Sequence, residues 1–536
     1  MNITPDLVVL HANIKTMADS APTAQAFAVK QGYIAAVGSD EEISELASPS
    51  TRVVDAGGKT VTPGFIDAHC HLLSLRGKQL LQADCSASQV ASIDDVIRIL
   101  RERAQQTPKG EWVLGGSFDF SKTKENRYPT RWELDKVSSE HPVHLRAQTC
   151  HIGIVNSKAL EVAGITRDVE DPPGGVFDRD ENGELTGVCR EEAHFLFVTG
   201  MGKEGSFVPP YSLEEMKQAI VRSCREYNSM GITSVGDALV GPEEIEAYQA
   251  AYHEGVLNAR VYMIVLDTNL EKLKQVKVKT GFGNDMLKIG GIKSFVDGAI
   301  AGHTAWLSRP YEDKPDYYGI PTKTPEEINQ IVWDAHTAGF QLEVHANGDK
   351  AIEMLLDAYE KAQKEFPRTD PRHRIAHCTV ITPEIIRRIK ALGVVVLPFS
   401  TYVYEHGEKM SGYGDRISMM FAHRTFLDEG IPVGGSSDNP CATQDPLIAI
   451  QSMVTRKSST GLELGPEQKV SVDEALYIYT RGSAYATFEE EIKGSIEAGK
   501  CADFVVLSDD PGEVEPETIK DIQVEQTFVG GRQVYP

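Results

Sequence analysis

The residue types best able to do chemistry begin at His69-Cys70-His71, which closes the apolar run Pro63-Gly64-Phe65-Ile66-Asp67-Ala68. Alternate side chains of a strand share a face, so His69 and His71 point together and Cys70 points away. Two imidazoles about 6–7 Å apart on one strand can close on a single divalent ion, and imidazole suits zinc, iron or nickel. Further coordinating types stand at the ends of other apolar segments. Lys293 lies within 287–295, His345 closes Gln341-Leu342-Glu343-Val344, His377 closes Arg374-Ile375-Ala376, and Asp438 follows Pro432-Val433-Gly434-Gly435-Ser436-Ser437. Taken singly, each has a plainer reading: a hydrogen-bonded structural histidine, a loop-capping aspartate, a salt-bridged lysine. Taken together they point to a metal centre of borderline-to-hard character, for zinc, iron or manganese.

Such residues converge only if separate elements deliver them to one place. From about residue 212 apolar strand patterns alternate with helical ones: strands at 232–237, 259–266, 287–296, 340–345, 374–379, 394–398 and 432–436, and helices at 213–230, 243–254, 270–279, 325–338, 351–365, 383–392 and 418–429. With 64–69 as the first strand and a closing helix at 472–488, the count is that of a (β/α)8 barrel, which carries its chemistry at the C-terminal ends of its strands. Residues 72–211 are far too long for an ordinary connection after the first strand and are expected to be a folded insertion capping that face. Short β patterns occupy 1–60 and recur at 491–536, so both ends are expected to build one small β layer beside the barrel, which spans 61–490.

The bulk composition excludes several classes of function. A net charge of -24, from 54 basic and 78 acidic side chains, argues against a surface for nucleic acid or anionic lipid. No apolar run reaches the ~20 residues of a membrane span, and the first residues lack the basic and apolar regions of a secretory signal. Eight cysteines without a CxxC spacing fit reduced thiols in the cytoplasm. A homo-oligomer is the expectation from base rates alone.

The order HxH, Lys, His, His, Asp on successive strands resembles the amidohydrolase superfamily, and most nearly its family 3 branch of N-substituted formamide deformylase-like enzymes. Val155-Asn156-Ser157-Lys158-Ala159-Leu160, Gly291-Ile292-Lys293-Ser294-Phe295-Val296-Asp297-Gly298, His345-Ala346-Asn347-Gly348-Asp349, Arg372-His373-Arg374-Ile375-Ala376-His377 and the tail from Gly494 to Asp503 carry the likeness across nearly the whole chain. The resemblance implies an α/β (β/α)8 TIM barrel with a β-sandwich from both termini. It implies that His69 and His71 bind one metal beside Asp438, that His345 and His377 bind a second, and that Lys293, as a carbamate, bridges two ions about 3.5–4 Å apart. An unmodified Lys293 would favour a single ion; zinc is the expected metal.

The reaction implied is hydrolysis of a non-peptide C–N bond by metal-activated hydroxide, with Asp438 first accepting the water's proton and then delivering it to the leaving amine. Deamination of an aminated heterocycle is the alternative, weakened by the lack of an HxxE at His345 or His377. An inactive binding protein is a third reading. Phe118, Asp119, Arg146, His151, His303 and Tyr402 are candidates for contact with a small-molecule substrate. Two positions depart from the family pattern. His303 stands where many relatives have arginine, which changes the substrate group held there. Ser437 is an additional serine beside Asp438.

Overall fold

The computed structural model describes residues 4–148, 152–172, 175–198 and 206–536. The chain divides into two compact units, Met1–Leu72 with Ser223–Pro536, and Leu73–Arg222.

In the first unit seven parallel strands neighbour one another in the order Phe65–Cys70, Ile232–Val240, Arg260–Leu266, Leu287–Phe295, Gln341–Ala346, Arg374–His377 and Val395–Pro398. Sheets covered on both faces read as near-continuous apolar runs, and Arg260–Leu266 is buried at every position. The eighth strand, expected at 432–436, is not a regular ladder, yet its backbone closes the ring. Val396 N–H donates to the Pro432 carbonyl at 3.0 Å and Gly434 N–H to Val396 at 3.1 Å. On the other side, Ala68 N–H donates to Gly435 at 2.9 Å. Glycines weaken strand propensity, but here bulk is excluded: a Cβ on Gly435 would lie 2.7 Å from the Tyr479 ring.

Capped helices return the chain between strands. Thr324 and Glu327 form a capping box at the start of Pro325–Thr337. Pro383–Leu392 begins at Thr382 and ends on Gly393 with φ 62°. Three helices differ from expectation. In place of 418–429 a 3-10 stretch, Gly407–Met419, is broken at Gly414 (φ 58°) and leads into a short helix, His423–Asp428. A π turn, Ile478–Gly482, interrupts the helix expected at 472–488. The helix expected at 270–279 stops at Gln275.

Strands from both ends of the chain share one sheet, since Phe504–Leu507 pairs antiparallel with Thr60–Pro63. That six-stranded sheet packs on a four-stranded one built from Leu7–Leu10, Ala26–Lys30, Tyr33–Gly38 and Arg52–Asp55. Between them Phe504 stacks on Phe528 at 4.2 Å and meets Phe27 edge-on at 4.9 Å. Thr60–Pro63 continues through Gly64 directly into the first barrel strand. A Cβ at Gly64 would stand 2.2 Å from Thr233 Oγ1, so the two strands can approach only over a glycine.

The second unit is a six-stranded mixed sheet in the order Gly175–Arg179, Leu185–Glu191, Ile152–Val155, Val143–Ala147, Val113–Phe118, Ala83–Asp84. The amphipathic helix Ile93–Gln106 packs Val96, Ile97 and Leu100 against Val113, Leu145 and Ile154 on one face of it.

Candidate metal centre

Strand ends of the barrel bring together the residues the sequence singled out. His69 and His71 lie on one face, as the period of two requires, with ring centroids 5.3 Å apart. Their Nε2 atoms stand 3.0 and 3.1 Å from the same oxygen, Asp438 Oδ1. One ligand atom each from His69, His377 and Asp438 lies within 4.8 Å of the others. His345 joins through its ring, 4.4 Å from that of His377. Lys293, 1 % exposed, reaches the group through Glu343, its Nζ 3.9 Å from Glu343 Oε1.

Glu343 is a buried carboxylate that the sequence reading passed over. Its Oε1 takes the Nδ1 proton of His69 at 2.6 Å, and its Oε2 faces Arg374 Nη2 at 2.6 Å. Burial alone would raise its pKa; Arg374, His69 and Lys293 outweigh that and hold it down at about 2. The alternation rule could have found it, because Glu343 is two residues before His345 on the same strand face. Burial lowers the pKa of Lys293, with the carboxylates of Glu343 and Asp438 opposing.

These hydrogen bonds fix the imidazole tautomers. His69 donates Nδ1–H to Glu343, and His71 donates Nδ1–H to the Ala238 carbonyl at 3.2 Å. Both Nε2 lone pairs therefore face a carboxylate oxygen, an arrangement of three acceptors that only added protons or a shared cation can reconcile. His377 contributes a further buried nitrogen, Nδ1, with no hydrogen-bond partner among the described residues. His345 Nε2 stands 3.1 Å from both the Gly298 carbonyl and the Asn347 amide nitrogen. Imidazoles oriented from behind, as those of His69 and His71 are, together with a carboxylate suit a divalent ion. Burial opposes ionisation of Asp438, but its pKa is drawn well below the usual range wherever His377, His69 and His71 carry the added protons that stand in for a cation.

Backbone strain collects at the same place. His377 (φ 74°), Cys378 (φ 43°) and Asp438 (φ 57°) adopt left-handed conformations without being glycine. The additional serine has a structural account. Ser437 donates its N–H and Oγ–H to the Asp67 carboxylate at 3.1 and 2.5 Å, tying the irregular eighth segment to the first strand and setting the turn that presents Asp438. Asp67 is fully buried, which pushes its pKa up to about 7.

The expected substrate contacts separate. Tyr402 stacks on Phe399 at 4.3 Å, and Phe399 stacks on His377 at 4.0 Å, so Tyr402 stands one ring back from the centre. Phe399 was missed, although its place just after a barrel strand marked it. His303 is packed between Tyr311 (5.0 Å) and Tyr413 (5.6 Å), with Nε2 donating to the Lys409 carbonyl. In the second unit Phe118 is core, Asp119 caps the turn Phe120–Lys122, and Arg146 is buried. His151 lies outside the described residues.

A barrel whose strand ends deliver histidines and a carboxylate to one buried point defines a hydrolase fold of the metal-dependent type. The model of the amidohydrolase family matches residues 52–535, and the chain belongs to that family. It is a hydrolase acting on carbon–nitrogen bonds. It is 32% identical over 543 residues to the amidohydrolase YtcJ of Bacillus subtilis (strain 168), covering 97% of this chain and 98% of the relative. It is 31% identical over 538 residues to an N-substituted formamide deformylase of Arthrobacter pascens, covering 98% and 97%. Among solved structures, a metal-dependent hydrolase from Pyrococcus horikoshii OT3 superimposes with a TM-score of 0.79 at 25% identity, over 95% of this chain and 99% of the other.

Proposed function

We propose that the chain hydrolyses a non-peptide amide, of the N-substituted formamide or acylated-amine class, at a centre formed by His69, His71, Lys293, His345, His377 and Asp438. The observation that carries this reading is the pair of imidazole lone pairs fixed on one oxygen of Asp438. The full-length likeness to a formamide deformylase supports the substrate class.

These residues would hold one or two divalent ions, zinc first, with iron or manganese as alternatives; Lys293 would bridge as a carbamate if two are held. When bound, such an ion supplies Lewis acidity, which brings the pKa of water to near neutrality and polarises a carbonyl. Asp438, already ionised, accepts the proton of the attacking water. It then delivers that proton to the departing nitrogen, which would otherwise leave as a strongly basic anion. Glu343 keeps His69 in the tautomer that presents Nε2. Phe399 and Tyr402 wall the His377 side with apolar rings and keep bulk water from it. We further propose a barrel over 61–490, with 72–211 as its inserted part, and a sandwich of 1–60 with 491–536. A cytoplasmic setting is supported by Cys70, Cys85, Cys189, Cys224, Cys378 and Cys501, none of which forms a disulfide among the described residues.

The test is a panel of N-formyl and N-acyl amines, cyclic ureas and aminopyrimidines given to protein whose metal content has been measured by mass spectrometry. Release of amine and carboxylate is expected. Ammonia from aminopyrimidines alone, or turnover without stoichiometric metal, overturns the proposal.

A further inference from the structure

The buried arginines of this chain fall into two groups. Arg260 sets Nε and Nη2 on the Asp503 carboxylate at 2.6 and 2.9 Å. Arg456 donates to the carbonyls of Leu464, Phe421 and Met420 at 2.9, 3.1 and 3.0 Å. Arg416 donates to those of Tyr413, Arg309 and Pro310. Arg374 faces Glu343. Arg146, in the second unit, is different: it is 5 % exposed, yet its Nε and Nη2 have no partner among the described residues. A guanidinium cannot shed its proton to escape the cost of burial, so such a group calls for an anion from outside the fold.

The surroundings look built for one. Val143, Leu145 and Ala147 alternate with His144 and Arg146 along their strand. Val143 and Leu145 enter the core under helix Ile93–Gln106, so Arg146 stands on the opposite face. Its partner in register is Gly153, over which the His194 and His144 rings pack, and the strand on its other side bulges at Gly116 and Ser117, with Gln82 lying over Gly116, so only polar side chains crowd the guanidinium from its neighbours. A Cβ at Gly116 would lie 2.5 Å from Gln82 Oε1, and that buried oxygen also lacks a partner, while Gln82 Nε2 donates to Tyr211 at 3.2 Å. Tyr211 in turn lies within reach of the Arg146 charge. His144, two positions away, has a buried Nε2 without a partner. Burial, aided by the Arg146 charge, pushes its pKa down to about 3, so it adds no second cation.

We propose that Arg146 anchors a binding site, within the unit Leu73–Arg222, for a small molecule bearing a carboxylate with a neighbouring N–H or O–H. The planar fork of Nε and Nη2 matches a carboxylate edge-on, and one positive charge balances one negative charge rather than the two of a phosphate. The Gln82 oxygen accepts the adjacent donor. The site is assigned on the geometry of this unit alone and stands whether or not the reading of the metal centre does.

Mandelate, with mandelamide as its uncharged counterpart, is the probe, titrated calorimetrically into the metal-replete protein. Saturable binding of mandelate at least about tenfold tighter than that of mandelamide is expected, with the preference lost in Arg146→Met and weakened in Arg146→Lys. Without ligand, Arg146→Met should melt no lower than wild type, because it removes an unpaired buried cation; mandelate should raise the melting temperature of wild type but not of this variant. No saturable binding, equal affinity for mandelamide, or full binding by Arg146→Met overturns the proposal. So does a lower melting temperature for Arg146→Met together with normal mandelate preference in Arg146→Lys, which marks a structural arginine. His345→Asn serves as the control for anion binding at the metal centre: affinity lost there and kept in Arg146→Met also overturns it.

Discussion

The two ends of the barrel both bury charged groups and use them in opposite ways. At the N-terminal end, Arg260 grips Asp503 with two hydrogen bonds, and Gly530 N–H completes that carboxylate at 2.8 Å. Close by, Glu489 is flanked by Lys288 at 2.8 Å and Lys493 at 2.5 Å. Gln341 bridges Tyr262, Arg372 and Ala486. Each of these named donors meets an acceptor, and the pairs join the barrel to the segment 486–503 that leads into Phe504–Leu507. At the C-terminal end the polar groups are fixed just as firmly from behind, by Glu343, the Ala238 carbonyl and Ser437. Their forward-facing atoms, however, are lone pairs aimed at one another. Saturation is what stability demands, and oriented incompleteness is what binding a cation demands.

That contrast can be broken at either end. The largest effect is expected from Asp438→Asn: turnover of a cleaved amide should fall by about 10²–10⁴-fold while metal content stays stoichiometric. Unchanged turnover would remove Asp438 from the proton transfers. At the opposite end, Arg260→Met leaves Asp503 buried and unpaired, and should cost about 3–5 kcal/mol in denaturant unfolding with the turnover of the folded fraction unaltered. Loss of metal instead would mean that the two ends are not independent.

Between them stands Glu343→Gln. It removes the charge that fixes the His69 tautomer, and a chelator competition should show metal affinity weaker by about 10–100-fold. An unaltered affinity would show that the tautomer is set by other contacts. Thr324→Ala, which strips the cap from a helix on the barrel's outside, should cost about 1 kcal/mol and leave metal affinity and turnover alone.

Much of this was legible from one chain. Residues that repeat with the strand period and end in His or Asp must share a barrel rim, so His69, His71, His345, His377 and Asp438 could be named without coordinates. Continuous apolar runs such as Arg260–Leu266 announced strands buried on both faces. Less visible was Glu343, because a charged residue inside an apolar strand has meaning only once Arg374, 31 positions later in the chain, and His69 are known to face it. The stacking of His303 on Tyr311 was likewise invisible in the sequence, because it follows from how a long loop folds back.

Periodicity and residue type thus settled which side chains point inward and at which strand ends, since those depend on a repeat of two along a single segment. Tertiary structure alone decided which inward groups are satisfied and which are left facing one another. Tautomers of His69 and His71, the grip of Ser437 on Asp67 and the isolation of Arg146 each depend on partners remote in sequence, and hydrogen bonds act over about 3 Å in space whatever the distance along the chain.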